Sequence, residues 1–159
     1  MTMIKRKSIR AVMLTPAGRM LLMQAQEPSR EFHVWFAPGG GMEPGEDPET
    51  CLRREVEEET GIVLGNIGPL VWQRHHTFEW DGRLLSQDED FHLVPIAEFE
   101  PDGTANPSVG EQTAFRQFKW WSAEAMARSR DLFAPRLLAE HLRNLIAHGP
   151  PDQPFDVGI

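Results

Sequence analysis

The sequence predicts an α/β fold, and three stretches carry that prediction. "SIRAVML" and "MLLMQAQ" flank "TPAG" as two strands around a turn. Residues 48–60 turn helical, from a proline suited to a first helical position to a stop at Gly61. Asp81-Gly82 sits between two β-rich runs as a hairpin turn. A chain of 159 residues, 40% apolar and 25% charged, is most simply one compact domain. Residues 1–149 are expected to form it, and residues 150–159, "PPDQPFDVGI", to form a flexible tail.

Composition also excludes several partners. A formal charge of −8 argues against a broad basic surface for nucleic acid or an anionic membrane, and no DNA partner is expected. It leaves room for a phosphorylated substrate, because a bound divalent metal reverses the local field. With one cysteine, Cys51, no intrachain disulfide forms and nothing points to an oxidising compartment. The basic start "MTMIKRKSIRAVML" lacks the apolar core of a signal peptide. No run approaches the roughly 20 apolar residues of a membrane span. The expectation is a cytoplasmic protein.

After the first two strands comes the polar "EPSREFH", then a short aromatic strand, "VWFAP". "PGGGMEPGEDP" reads as loop throughout, being glycine and proline. The helix begins at Pro48, with Glu49 at its positive end. If Asp81 and Gly82 form the next turn, the register follows: Trp80 faces Arg83, Phe78 Leu85, His76 Gln87, Arg74 Glu89 and Trp72 Phe91, all on one face. The other face pairs His75 with Asp88 and Gln73 with Asp90. "PDGTANPSVGEQ" is a long turn-rich loop of the kind that often carries function. "FRQFKWWS" is a strand, Ser122 caps the helical "AEAMARS", and a last helix from about Pro135 to His148 places Leu138, Leu142 and Leu145 on one side.

The helix poses a problem of charge. "RREVEEETGI" holds Glu55, Glu57, Glu58 and Glu59, and like charges three or four apart on a helix repel. At about 100° per residue, Glu55, Glu58 and Glu59 fall within one arc of roughly 100°, while Glu57 points to the far side near Arg53. Leu52 and Val56 lie beside Glu59 and supply the apolar contact to a sheet. A solvated acidic face is the plain alternative for such a run. Against it, the cluster lies in the second half of the helix, where the dipole disfavours negative charge. Three converging carboxylates also suit a hard divalent cation. Finally, the glycine-rich stretch before the helix lets backbone approach a ligand closely.

Taken together, these residues resemble the Nudix box, G-x5-E-x7-R-E-U-x-E-E-x-G-U with U bulky and apolar. Gly40, Glu46, Arg54, Glu55, Val56, Glu58, Glu59, Gly61 and Ile62 fill all nine fixed positions over 23 residues. "WFAPGG" also resembles the family's strand leading into the box. The resemblance implies an α/β/α sandwich with a mixed sheet. It implies hydrolysis of a nucleoside diphosphate linked to another moiety, by water attack on phosphorus. It further implies Mg²⁺ or Mn²⁺ held by Glu55, Glu58, Glu59 and the carbonyl of Gly39. The chemistry is coherent, since metals neutralise and orient a pyrophosphate and acidify a water. Arg54 would orient or neutralise the carboxylates, Glu46 would hold the loop through backbone or Arg54, and Gly40 and Gly61 are structural. The resemblance leaves the general base open between Glu55 and a glutamate of a later loop, here Glu111, with Glu89 as a further candidate. The pairing of Glu89 with Arg74 favours a structural or substrate-orienting role.

For the substrate, Trp72, Arg74, His76, Phe78 and Glu89 share one face of the hairpin. Aromatics there would stack on a base, and Arg74 would contact phosphate. The alternative, with Trp72 and Phe78 in the core and ordinary strand histidines, stays open. His75 and His76 point to opposite faces and cannot share a metal. Cys51 reads as a packing residue. Signatures of family members specialised for ADP-ribose, diadenosine polyphosphates, coenzyme A or NADH are absent, and the chain has no tyrosine. A small nucleotide, such as a nucleoside triphosphate, is the expected partner. A non-catalytic nucleotide-binding sensor and an RNA-end pyrophosphohydrolase are the rivals. A homodimer is compatible with the exposed hairpin and with the family's habits.

Overall fold

The structure is a computed structural model that describes residues 2–102 and 114–159. Glu111, the loop candidate for general base, lies outside the described residues.

β1 (Met3–Leu14) is the spine of the sheet. Along its whole length it pairs in parallel with β6 (Arg83–Pro95), from Met3↔Leu84 to Leu14↔Pro95. Its other edge is shared. β2 (Arg19–Gln26) meets it only at Leu14↔Met20, and β4 (Gly39–Gly41) takes Ser8 to Arg10. β2 continues onto β3 (His33–Phe36) and β7 (Phe115–Ser122), and β3 pairs with the short β8 (Leu132–Ala134). β5 (Leu70–Trp80) forms the expected hairpin with β6, residue for residue from Trp80↔Arg83 to Trp72↔Phe91. The sheet is thus mixed.

Alternation along the strands puts apolar residues on both faces, so each face needs a cover. On one, Ile9, Ala11, Met13 and Leu21 pack against Cys51, Leu52 and Val56 of helix α1 (Pro48–Thr60). On the other, Val12, Leu22, Trp72 and Phe91 pack under two helices, α2 (Ala123–Arg128) and α3 (Leu138–His148). Leu138, Leu142 and Leu145 are the buried stripe of α3, as their spacing predicts. The result is the α/β/α sandwich. No helix among the described residues is long and apolar enough to cross a membrane.

One expectation needs correction. The "GGG" run is a strand, not loop: β4 runs so close to β1 that a Cβ on Gly39 would strike the Ile9 carbonyl, so glycine there reports tight packing rather than a turn. The tail holds a short strand and one buried residue. β9 (Phe155–Asp156) pairs in parallel with β5, the Val157 N–H donates to the Gln73 carbonyl at 3.0 Å, and Val157 is buried in the core. One apolar residue at the right register and an open strand edge suffice to hold a segment whose prolines and aspartates read as disordered.

Candidate active site

α1 sets the site. The Asp47 side chain caps it by accepting from the Thr50 N–H, and at its far end the Gly61 N–H donates to the Glu57 carbonyl at 2.9 Å. With Leu52 and Val56 buried, the helix cannot rotate, and the glutamates sort as the helical arc predicts. Glu55 and Glu59 are buried, Glu58 is partly covered and Glu57 is exposed.

Glu55 and Glu59 face β4. A Cβ added to Gly40 would stand 2.4 Å from the Glu55 carboxylate, and one added to Gly39 would stand 2.1 Å from the Ile9 carbonyl oxygen. At Gly39 the obstacle is backbone, which requires glycine, whereas at Gly40 it is the end of the Glu55 side chain. The Gly39 N–H donates to Glu59 Oε1 at 2.7 Å. Cys51 Sγ lies 3.5 Å from the Gly40 carbonyl, and burial pushes its thiol up to about 12, as suits a packing residue.

Arg54 is the positive charge among the acids. Its Nε and Nη2 donate to Glu46 at 2.8 and 2.9 Å, a two-point grip, and Nη2 also reaches the Gly41 carbonyl at 3.2 Å. Nη1 sits 2.9 Å from Glu55, 3.5 Å from Glu58 and 3.8 Å from Glu43. The hydrogen bond from Arg54, helped by the Glu43 N–H, holds the Glu46 carboxyl at about 2. Glu46 in turn raises Arg54 above its ordinary value, so both stay charged. Glu46 therefore holds the loop through both partners the sequence suggested, backbone and Arg54.

On the hairpin, the face predicted to line a pocket is only partly available. Trp72 is 3% exposed, tilted against Phe91 and His141, and belongs to the core beneath α3. Arg74 is 7% exposed and occupied at both ends: Nη1 donates to Glu89 Oε1 at 2.7 Å and Nε to the Gly158 carbonyl at 2.9 Å. Both side chains are thus buried, Trp72 in the core and Arg74 between Glu89 and the backbone of Gly158. Further along, His76 and Phe78 stack, with centroids 4.4 Å apart and planes 10° from parallel, and both are partly exposed. Glu89 is 3% exposed. Its burial favours the neutral acid, but Arg10, His76 and Arg74 together outweigh burial and hold it well below the usual carboxylate range.

Arg10 is the site residue that sequence reasoning missed. Its Nε donates to Glu89 Oε2 at 2.7 Å, and its Nη1 to the carbonyls of Gly39 at 3.0 Å and Ala37 at 3.3 Å. Burial opposes its charge, but Glu89, with Glu59 and Glu55, raises it above the ordinary value. The signal was in the alternation: Ser8, Arg10 and Val12 share one face of β1, and an arginine inside such a run needs a buried partner. Glu27 was missed too. It is fully buried and accepts from the Ser29 and Asp81 N–H groups and from Arg30, tying the hairpin turn to the loop after β2.

The family model for the NUDIX domain matches residues 4–145. The chain belongs to the Nudix hydrolase family. An RNA pyrophosphohydrolase of Rhodopseudomonas palustris (strain BisB18) is 32% identical over 114 residues, covering 66% of this chain and 63% of that protein. The chain thus spans a little under two thirds of that relative. Diphosphoinositol polyphosphate phosphohydrolase 3-beta of Bos taurus is 28% identical over 138 residues, covering 83% of this chain and 71% of the relative. The solution structure of the E. coli ORF135 protein superposes with a TM-score of 0.63 at 25% identity, covering 94% of this chain and 96% of that one. Nudix hydrolases generally use divalent metal ions. Among the described residues, no three His, Cys, Asp or Glu side chains stand close enough together to hold a metal as they are. The donors nevertheless fit a hard cation in kind. They are carboxylates on one helical arc beside a glycine backbone, with a guanidinium lying between Glu55 and Glu58 where positive charge is wanted.

Proposed function

We propose that this Nudix chain is a metal-dependent pyrophosphohydrolase that cleaves a nucleoside diphosphate linked to another moiety, by water attack on phosphorus. The observation that carries the reading is the acidic arc of α1 set against glycine backbone, with Arg54 charge-balancing it. Glu55, Glu58 and Glu59, with the Gly39 carbonyl, would hold Mg²⁺ or Mn²⁺. When bound, the cation would neutralise and orient the pyrophosphate and acidify a water. Arg54 keeps Glu46 with two of its nitrogens and yields its Nη1 contacts to Glu55 and Glu58. Glu89 has both oxygens engaged by arginines, which supports an anchoring role; the base is then sought in Glu55 or Glu111. The stacked His76 and Phe78 supply a flat, partly exposed surface for a nucleobase.

The test is a phosphate-release screen over nucleotides with Mg²⁺ or Mn²⁺, with Glu58→Gln and Glu59→Gln as controls. Each variant is expected to lose more than about 100-fold in turnover. Full activity in either one removes the metal-site assignment, and binding without turnover of any nucleotide favours the sensor. The relative named RNA pyrophosphohydrolase supports a second reading, so triphosphorylated RNA belongs in the panel.

A further inference from the structure

We propose that Arg10 is a positioning residue of the cation site: gripped by Glu89, its guanidinium fork fixes the Gly39 carbonyl for the metal. The inference rests on the reading of that site as a divalent-cation site, and it adds residues that lie outside the Nudix box.

The two sides of Arg10 face different tasks. Nε is spent on Glu89 Oε2 at 2.7 Å, while Nη1 holds the carbonyls of Gly39 at 3.0 Å and Ala37 at 3.3 Å. A carbonyl oxygen has two lone pairs, so one taken by Arg10 leaves the other for a ligand. Gly39 thereby orients two of the proposed donors, its own carbonyl through Arg10 and Glu59 through its N–H at 2.7 Å. Gly39 has no side chain with which to do this itself, so its carbonyl is oriented by its neighbours.

Glu89 is in turn kept from turning away. Its second oxygen accepts from Arg74 Nη1 at 2.7 Å, and Arg74 Nε is fixed by the Gly158 carbonyl at 2.9 Å. A line of three charges, two buried and Arg10 partly so, therefore runs from the backbone of the tail to the backbone of β4. Buried ion pairs are poor stabilisers, since desolvation consumes most of their attraction and apolar residues of the same volume often do as well. Orientation is what such a line supplies and an apolar core does not. The fork matters as much as the charge: lysine presents a compact ammonium that cannot span Glu89 and Gly39 together.

Mn²⁺ binding to the full chain without nucleotide, followed by electron paramagnetic resonance, separates these roles. Arg10→Lys keeps the charge and loses the fork, and its Mn²⁺ Kd is expected to rise about 10- to 100-fold, the range for partners behind a metal ligand. Glu89→Gln should shift it in the same direction, and in both variants the Gly39 amide resonance should move. Leu142→Ala, which loosens the core under α3, should leave Mn²⁺ affinity unchanged. Wild-type affinity in Arg10→Lys overturns the proposal. So does loss of the fold in both site variants, which makes the network purely structural. If Arg10→Lys alone fails to fold, Glu89→Gln decides in the same two directions. Absence of Mn²⁺ binding in the wild-type chain is a different result, and it removes the cation-site reading itself.

Discussion

Glu46 and Arg54 show how one buried contact sets the chain's response to acid. The Glu46 carboxyl sits at about 2 in the folded chain against an ordinary value of 4.5. As pH falls below 4.5 the unfolded chain takes up this proton first. The stabilisation is therefore complete above that pH and is lost as pH falls towards 2. Glu27 adds the same dependence: burial pushes it up, but the Ser29 and Asp81 N–H groups and Arg30 prevail and hold it at about 2. Urea midpoints should fall between about pH 5 and pH 3, and Glu46→Gln should flatten part of that fall. An unchanged slope in Glu46→Gln would assign the acid sensitivity elsewhere. At this scale the sequence was informative where geometry is local. The helical period alone separated Glu57 from Glu55, Glu58 and Glu59. The sequence also placed Glu89 opposite Arg74 through the hairpin. It did not reach Gly158 at Arg74, or Gly39 and Glu89 at Arg10, because these lie far along the chain and meet the arginines only once the whole sheet has assembled.

Elements follow the same division. The Asp81-Gly82 turn fixed the β5–β6 register to the residue, since a two-residue hairpin leaves no slack. β4 was illegible because strand propensity penalises glycine, whereas at Gly39 glycine is required by the backbone of β1. Gly39→Ala would drive a Cβ into the Ile9 carbonyl at an unfavourable φ, and is expected to cost at least about 2 kcal/mol in urea unfolding. A near-neutral result would mean that β4 can move away from β1. On α3, Leu142 is fully buried, and Leu142→Ala should cost about 2–5 kcal/mol by the same measurement. β9 escaped notice because a two-residue strand carries no periodicity; it exists only because β5 offers an edge.

The whole molecule is a mixed sheet whose spine, β1, changes partners along one edge, from β2 at Leu14 to β4 at Arg10. The acidic helix and Arg10 both meet the short strand at that change. Like charges on α1 oppose folding until a cation or Arg54 balances them, so a divalent metal that binds only the folded chain should stabilise it. At about 100 times its Kd the gain is about 2.7 kcal/mol. For a domain of this size that amounts to roughly 5–10 °C in thermal midpoint. A midpoint unmoved by saturating Mn²⁺ would separate the acidic arc from metal binding. The central claim, metal-dependent attack of water on phosphorus, is tested most directly by isotope. A nucleotide found active in the screen is turned over in ¹⁸O-labelled water with Mn²⁺, with chelator, and with Glu58→Gln. ¹⁸O is expected on a product phosphate in the first case and almost none in the other two. Unlabelled phosphates, or equal labelling under chelator, would contradict it.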